Sequence, residues 1–168
     1  VGHHEHRAKS PASAVVAVLS VSTSRTLNTD KSGHWIAKQA VKEGHRIAAH
    51  RIVPDDVEAI CNEITQITAD PAPDAVIVTG GTGISPGDVT IEALKPLFTK
   101  ELTAFSPIFS QLSYEQVDSA ALLSRATAGT IGDILVFCIP GSLKACQLAC
   151  KALIFPELGH LLMHTAEL

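Results

Sequence analysis

Aromatic side chains are scarce in this sequence: one Trp, one Tyr and five Phe make up 4% of 168 residues. Proteins that grip single-stranded nucleic acid stack bases on aromatic platforms, so that class is disfavoured. Charge is also thin, at 18% against a usual figure near ~25%. Thirteen basic and seventeen acidic residues leave a formal net charge of −4, with neither sign gathered in a run. A hold on a phosphate backbone needs a basic stripe, and none is present. Long apolar runs are missing as well. Residues 14–19 and Ile134–Ile139 are the longest, far below the ~18 needed for a membrane span. The His-rich, polar stretch at residues 1–11 lacks the apolar core of a secretory signal. Cysteine is limited to Cys61, Cys138, Cys146 and Cys150, all in apolar surroundings. They read as reduced thiols of a cytoplasmic protein rather than a secreted disulfide framework. A small-molecule partner is the default that survives these exclusions.

What is present is apolar patterning, at 46% hydrophobic residues, enough for one sizeable core. The expected organisation is a flexible arm over residues 1–13 and a single domain over 14–168. Residues 14–21 (AVVAVLSV) form a continuous Val-rich run, as a strand buried on both faces requires. A polar loop follows over 22–30, then a helix over 32–43 stopped by Gly44, and a second strand over 45–53. Val57, Ile60, Cys61, Ile64 and Ile67 keep helical spacing. Residues 74–79 (DAVIVT) read as a strand running into a glycine-rich loop, with a helix starting near Asp88. Further on, residues 103–119 read as a helix, 122–128 as an edge strand and 133–139 as a central strand. Helices over 142–154 and 156–168 complete the pattern. Such alternation predicts an α/β fold, a three-layer α/β/α sandwich around a mostly parallel sheet.

In sheets of this kind ligands bind beyond the carboxyl ends of the strands. Three strand-following loops therefore matter. Thr79-Gly80-Gly81-Thr82-Gly83-Ile84-Ser85-Pro86-Gly87-Asp88 offers backbone that can approach an anion closely, and a carboxylate at its end. It lacks the third glycine of the dinucleotide fingerprint, where Pro86 stands, which weighs against a nicotinamide-dependent oxidoreductase. It also lacks the Lys-Ser or Lys-Thr of a Walker loop. Pro140-Gly141-Ser142-Leu143-Lys144-Ala145 places Ser142 and Lys144 at a helix start suited to phosphate, or simply as a cap and a solvated lysine. Val53-Pro54-Asp55-Asp56 carries Asp55, whose spacing to Glu58 also fits a capping box. Asp55 and Asp88 together have the chemistry of a site that holds Mg²⁺ through carboxylates and nucleotide oxygens. The i, i+4 pairs Cys146/Cys150 and His160/His164 lack further ligands at metal-site spacings, so packing explains them better.

In this order, Asp30-Lys31-Ser32-Gly33, Val53-Pro54-Asp55, TGGTG at Thr79 to Gly83 with Asp88, Leu123-Ser124-Arg125 and PGS-x-KA from Pro140 resemble the MoaB/MogA family of molybdenum-cofactor biosynthesis, to which the gephyrin G domain belongs. The resemblance runs from about Val15 to the C-terminus and is nearer the MoaB branch. It implies a molybdopterin adenylyltransferase that converts Mg-ATP and molybdopterin into adenylyl-molybdopterin and pyrophosphate. On that resemblance, Asp55 and Asp88 are catalytic and hold Mg²⁺ with ATP; Thr79, Gly80, Gly81, Thr82 and Gly83 bind the nucleotide; Ser22, Ser142 and Lys144 bind substrate or phosphate. It also implies a homo-oligomer, a hexamer first and a trimer second, and a later metal-insertion enzyme as a partner. Where MogA-type and plant adenylyltransferases read Ser-Asp in the first loop, this chain has Ser22-Thr23. The alternative reading is a non-catalytic oligomeric protein that keeps the pterin or nucleotide pocket.

Overall fold

The computed structural model describes residues 11–69 and 71–166, so most of the expected N-terminal arm lies outside the described residues. Six strands form one sheet: β1 Val15–Val21, β2 Arg46–Val53, β3 Ala75–Thr79, β4 Lys100–Glu101, β5 Thr127–Ile131 and β6 Ile134–Ile139, in the order β2-β1-β3-β6-β5-β4. The pairs β1/β2, β1/β3 and β3/β6 are parallel, while β5 is antiparallel to both β6 and β4. Side chains of successive strand residues face opposite sides. Accordingly Val16, Val18 and Ile77 enter one core, and Ala17, Leu19, Val76 and Val78 enter the other. Apolar runs buried on both faces make β1, β3 and β6 the centre of a three-layer α/β/α sandwich, as the sequence predicts.

The helices are α1 Lys31–Lys42, α2 Val57–Ile67, α3 Thr90–Leu94, α4 Phe105–Val117, α5 Leu143–Ala149 and α6 Phe155–Thr165. Ile36 and Ala40 dock α1 on the first core, and Ile60, Ile64 and Ile67 dock α2 on the second. A π-helical turn at Cys150–Ile154 joins α5 to α6, so the helix expected over 142–154 changes its winding after Ala149. All four cysteines are free, and only Cys61 is even partly exposed. Burial raises the thiol pKa of Cys138 and of Cys150 far above the ordinary range. No helix among the described residues is long and apolar enough to cross a membrane.

Two expectations are corrected. Residues 122–128 do not form an edge strand: Asp118–Leu123 is a 3-10 turn with Leu122 and Leu123 exposed, and the strand starts at Thr127 between β6 and the short edge strand β4. The helix expected near Asp88 begins only at Thr90 and lasts five residues before a 3-10 turn at Lys95–Leu97.

Buried below the sheet's carboxyl end is Asp30, fully shielded from solvent. It caps α1 by accepting the Gly33 N–H at 3.0 Å. The Ser20 hydroxyl donates to its other oxygen at 2.5 Å, and His50 Nε2 reaches that same oxygen at 2.7 Å. Burial works against the charged form, yet the Ser20, Gly33 and His50 hydrogen bonds outweigh it and hold the Asp30 carboxyl below its ordinary value.

Candidate functional site

Strand order decides where a cleft can open. The chain leaves β1 toward β2 on one side, then returns to place β3 on β1's other side. Loops after β1 and β3 therefore diverge, and the gap between them is the place for a ligand. Register brings the strand ends level, with Val21 opposite Val53, Ser20 opposite Thr79 and Thr79 opposite Ile139. The loops that follow meet around a cleft of about 320 Å³ lined by Ser22 and Arg25 after β1, Asp55 after β2, Gly80 to Gly83 and Asp88 after β3, and Gly141 after β6.

The glycine loop is shaped by its carbonyls. Gly80 and Gly81 have φ of 101° and 63°, a conformation that suits glycine. A Cβ on Gly80 would collide with the Val21 carbonyl. The Thr90 hydroxyl donates to Gly80 O at 2.7 Å, and Thr90 N–H donates to Gly81 O at 3.0 Å. Arg125 Nε donates to Thr82 O at 2.9 Å and Gly83 O at 3.1 Å, while its two terminal nitrogens fork onto Glu92 at 2.7 and 3.2 Å. Every carbonyl from Gly80 to Gly83 is thus tied back to protein. Among the described residues, no acceptor takes the N–H groups of Gly81, Thr82 or Gly83. Consecutive unpaired amides of this kind form an anion cradle. The Arg125 guanidinium also holds the Glu92 carboxyl below its ordinary value.

Each of the two carboxylates has one oxygen held by the chain. Asp88 Oδ2 accepts the Ser85 N–H at 3.0 Å, within the loop. It is no helix cap, because α3 starts after Val89 without a side-chain cap. Asp55 Oδ2 accepts both the Thr23 N–H and the Thr23 hydroxyl at 2.8 Å. Capping of α2 falls to the neighbouring Asp56, which accepts the Ala59 N–H at 2.8 Å and contributes about 1 kcal/mol to the helix. The capping explanations for Asp55 and Asp88 are therefore removed. Two oxygen-bearing carboxylates beside an anion cradle fit a hard cation such as Mg²⁺ shared with phosphate oxygens. Among the described residues, no cluster of three or more His, Cys, Asp or Glu could hold a metal without such help.

Not every residue singled out in the sequence lines the cleft. Thr79 is buried, and its hydroxyl donates to Pro140 O at 3.0 Å, bracing the loop after β6 from below. Ser142 caps α5, accepting the Ala145 N–H at 3.2 Å. Lys144 lies with Gln147 and Lys151 along a separate depression. Ser22 does line the cleft, and its hydroxyl accepts the Arg25 N–H at 3.2 Å. Sequence reading missed Arg25, the basic side chain of this cleft, whose guanidinium reaches toward Gly141 O at 3.5 Å. A search for cations in strand-following loops finds it. Ser32, at the start of α1, donates to the same carbonyl at 2.8 Å.

A larger groove of about 660 Å³ lies between α4, the 3-10 turn after it and β4, with Ser106, Ser110, Tyr114 and Leu122 on its walls. It is away from the parallel strand ends and lacks the paired carboxylates, so the smaller cleft is the chemical candidate.

Comparison with known proteins identifies the family. A family model described as a probable molybdopterin binding domain matches residues 17–160. The chain is 47% identical over 157 residues to molybdenum cofactor biosynthesis protein B of Bacillus subtilis, covering 93% of this chain and 92% of that one. It is 48% identical over 150 residues to the protein of the same name from Staphylococcus carnosus, covering 87% of each. Among solved structures, a molybdenum cofactor biosynthesis protein B superposes with a TM-score of 0.90 at 40% identity, over 94% of this chain and 98% of that one. The tungsten cofactor synthesizing protein MoaB from Pyrococcus furiosus superposes with a TM-score of 0.84 at 37% identity, over 94% and 99%. The chain belongs to the MoaB/MogA family of molybdenum-cofactor biosynthesis proteins, on its MoaB side.

Proposed function

We propose that this chain adenylylates molybdopterin, joining the AMP portion of ATP to the terminal phosphate of the pterin and releasing pyrophosphate. The observation that supports it most is the glycine loop, whose carbonyls are all engaged by Thr90 and Arg125 while three consecutive amides are left for an anion beside Asp55 and Asp88. In this reading a phosphate of ATP lies on the Gly81 to Gly83 amides, and Arg25 faces the phosphates from the opposite wall. Asp55 and Asp88 would hold Mg²⁺ by their remaining oxygens, and the cation would supply neutralisation of phosphate charge. An oxygen of the pterin phosphate attacks the α-phosphorus, and the bond from that phosphorus to the bridging oxygen breaks. Pyrophosphate carries away the electron pair. No protein nucleophile is needed, so positioning and charge stabilisation are the chain's contribution. Incubation of the purified chain with molybdopterin, ATP and Mg²⁺ is expected to yield one adenylyl-molybdopterin per pyrophosphate. Binding of molybdopterin with no ATP consumption would favour the non-catalytic alternative, for which Thr23 in place of the first-loop aspartate is the specific motive.

The same reading includes a cytoplasmic homo-oligomer, a hexamer ahead of a trimer, that hands its product to the later metal-insertion enzyme. Tyr114 and Leu122 are exposed on the walls of the larger groove, and Val117 is exposed at the end of the same helix α4, an apolar area that a second copy would cover. Light scattering at micromolar concentration is expected to give six times the chain mass. A monomer there would refute the assembly.

A further inference from the structure

We infer that Thr23 is a positioning residue for the site's cation: it commits one oxygen of Asp55 to the protein and thereby aims the other into the cleft. This inference rests on the proposed Mg-ATP reading. Thr23 and Asp55 close a ring of three hydrogen bonds. The Thr23 N–H and Oγ1–H both donate to Asp55 Oδ2 at 2.8 Å, and Asp55 N–H donates back to Thr23 Oγ1 at 3.2 Å. The hydroxyl is used as donor and as acceptor, so it has no freedom to turn toward a ligand. Asp55 Oδ1 is left facing the glycine loop, where a Cβ on Gly81 would stand 3.0 Å from it. An unrestrained aspartate on an open loop would share its two oxygens among several rotamers. Here one oxygen is presented in one direction, which gives single-oxygen coordination and leaves cation positions for phosphate oxygens and water. The ring also bridges the loop after β1 to the loop after β2, so the cation's ligand and Arg25 on the neighbouring loop are held in one geometry. A carboxylate at position 23 could not donate to Asp55 from its side chain. Thr at this position therefore trades a third negative charge for an ordered second one.

The test uses the full chain and two calorimetric titrations with ATP, one in Mn²⁺ as the stand-in for Mg²⁺ and one in EDTA. Thr23→Val keeps shape and the N–H donor but removes the hydroxyl, and Thr23→Ala removes it without a branched side chain. Both are expected to weaken ATP binding about tenfold in Mn²⁺ and hardly at all in EDTA, while Thr23→Ser stays within about twofold of wild type in both. Equal losses in the two titrations would mean a general loosening of the loop and would overturn the positioning role. Unchanged Mn²⁺-dependent binding in the Val and Ala variants would overturn it directly. Wild-type protein that binds ATP no better in Mn²⁺ than in EDTA would overturn the Mg-ATP reading, and this inference with it.

Discussion

Asp88→Asn is expected to fold as the wild type does and to lose adenylylation by about 10²- to 10³-fold. The Asn side-chain oxygen can still accept the Ser85 N–H that Asp88 takes at 3.0 Å, so the turn survives. What changes is the charge offered to the cleft. Because α3 is not capped by this residue, the melting temperature should move by no more than about 1 °C. Asp55→Asn is the companion variant, since its oxygen can keep the Thr23 donors while the other position becomes an amide. Both losses should appear in kcat/KM measured with Mg-ATP and molybdopterin. An Asp88→Asn protein that turns over at the wild-type rate would defeat the catalytic assignment.

Asp30→Ala should have the largest effect on stability, about 3 kcal/mol in urea unfolding and about 10 °C in melting temperature. Its removal leaves the Ser20 hydroxyl, the Gly33 N–H and the His50 ring without their shared acceptor, and α1 without its cap. The sign of the pH effect follows from the direction of the shift. The folded-state value lies below the unfolded one, so the stabilisation is complete above the ordinary aspartate value near ~3.9 and is lost as pH falls through the lower folded value. Wild type minus Asp30→Ala should therefore be constant near neutrality and shrink in that acidic window. A difference that stays constant to pH 3 would show that Asp30 acts by shape alone.

The layered sheet was legible because β1, β3 and β6 are written as short runs of Val, Ile, Leu and Ala, and nothing but two-sided burial needs such runs. Misreading came where apolarity and burial part company. Leu122 and Leu123 look like strand residues but sit exposed in a 3-10 turn, and β5 starts later in the less telling Thr-Ala-Gly-Thr-Ile. Asp55 and Asp56 are adjacent carboxylates before one helix, and letters alone could not say which caps it. Thr23 was noticed only as a departure from a motif, since its partner is 32 residues away. Asp30 sat in a recognisable segment, but its partner His50 lies 20 residues on, in β2.

The cleft's ties join parts of the chain that are far apart in sequence: Ser32 to Gly141 spans 109 residues, and Arg125 to Glu92 spans 33. Closing such loops costs chain entropy that only the assembled sheet can offset. The site therefore cannot exist on a fragment, and during synthesis it arises only after the loop following β6 has emerged. Any ligand of the cleft binds the native ensemble and leaves the unfolded one untouched. Saturation at a hundred times its dissociation constant would then raise global unfolding free energy by about 2.7 kcal/mol, and cellular ligand supply would set how long the folded chain persists.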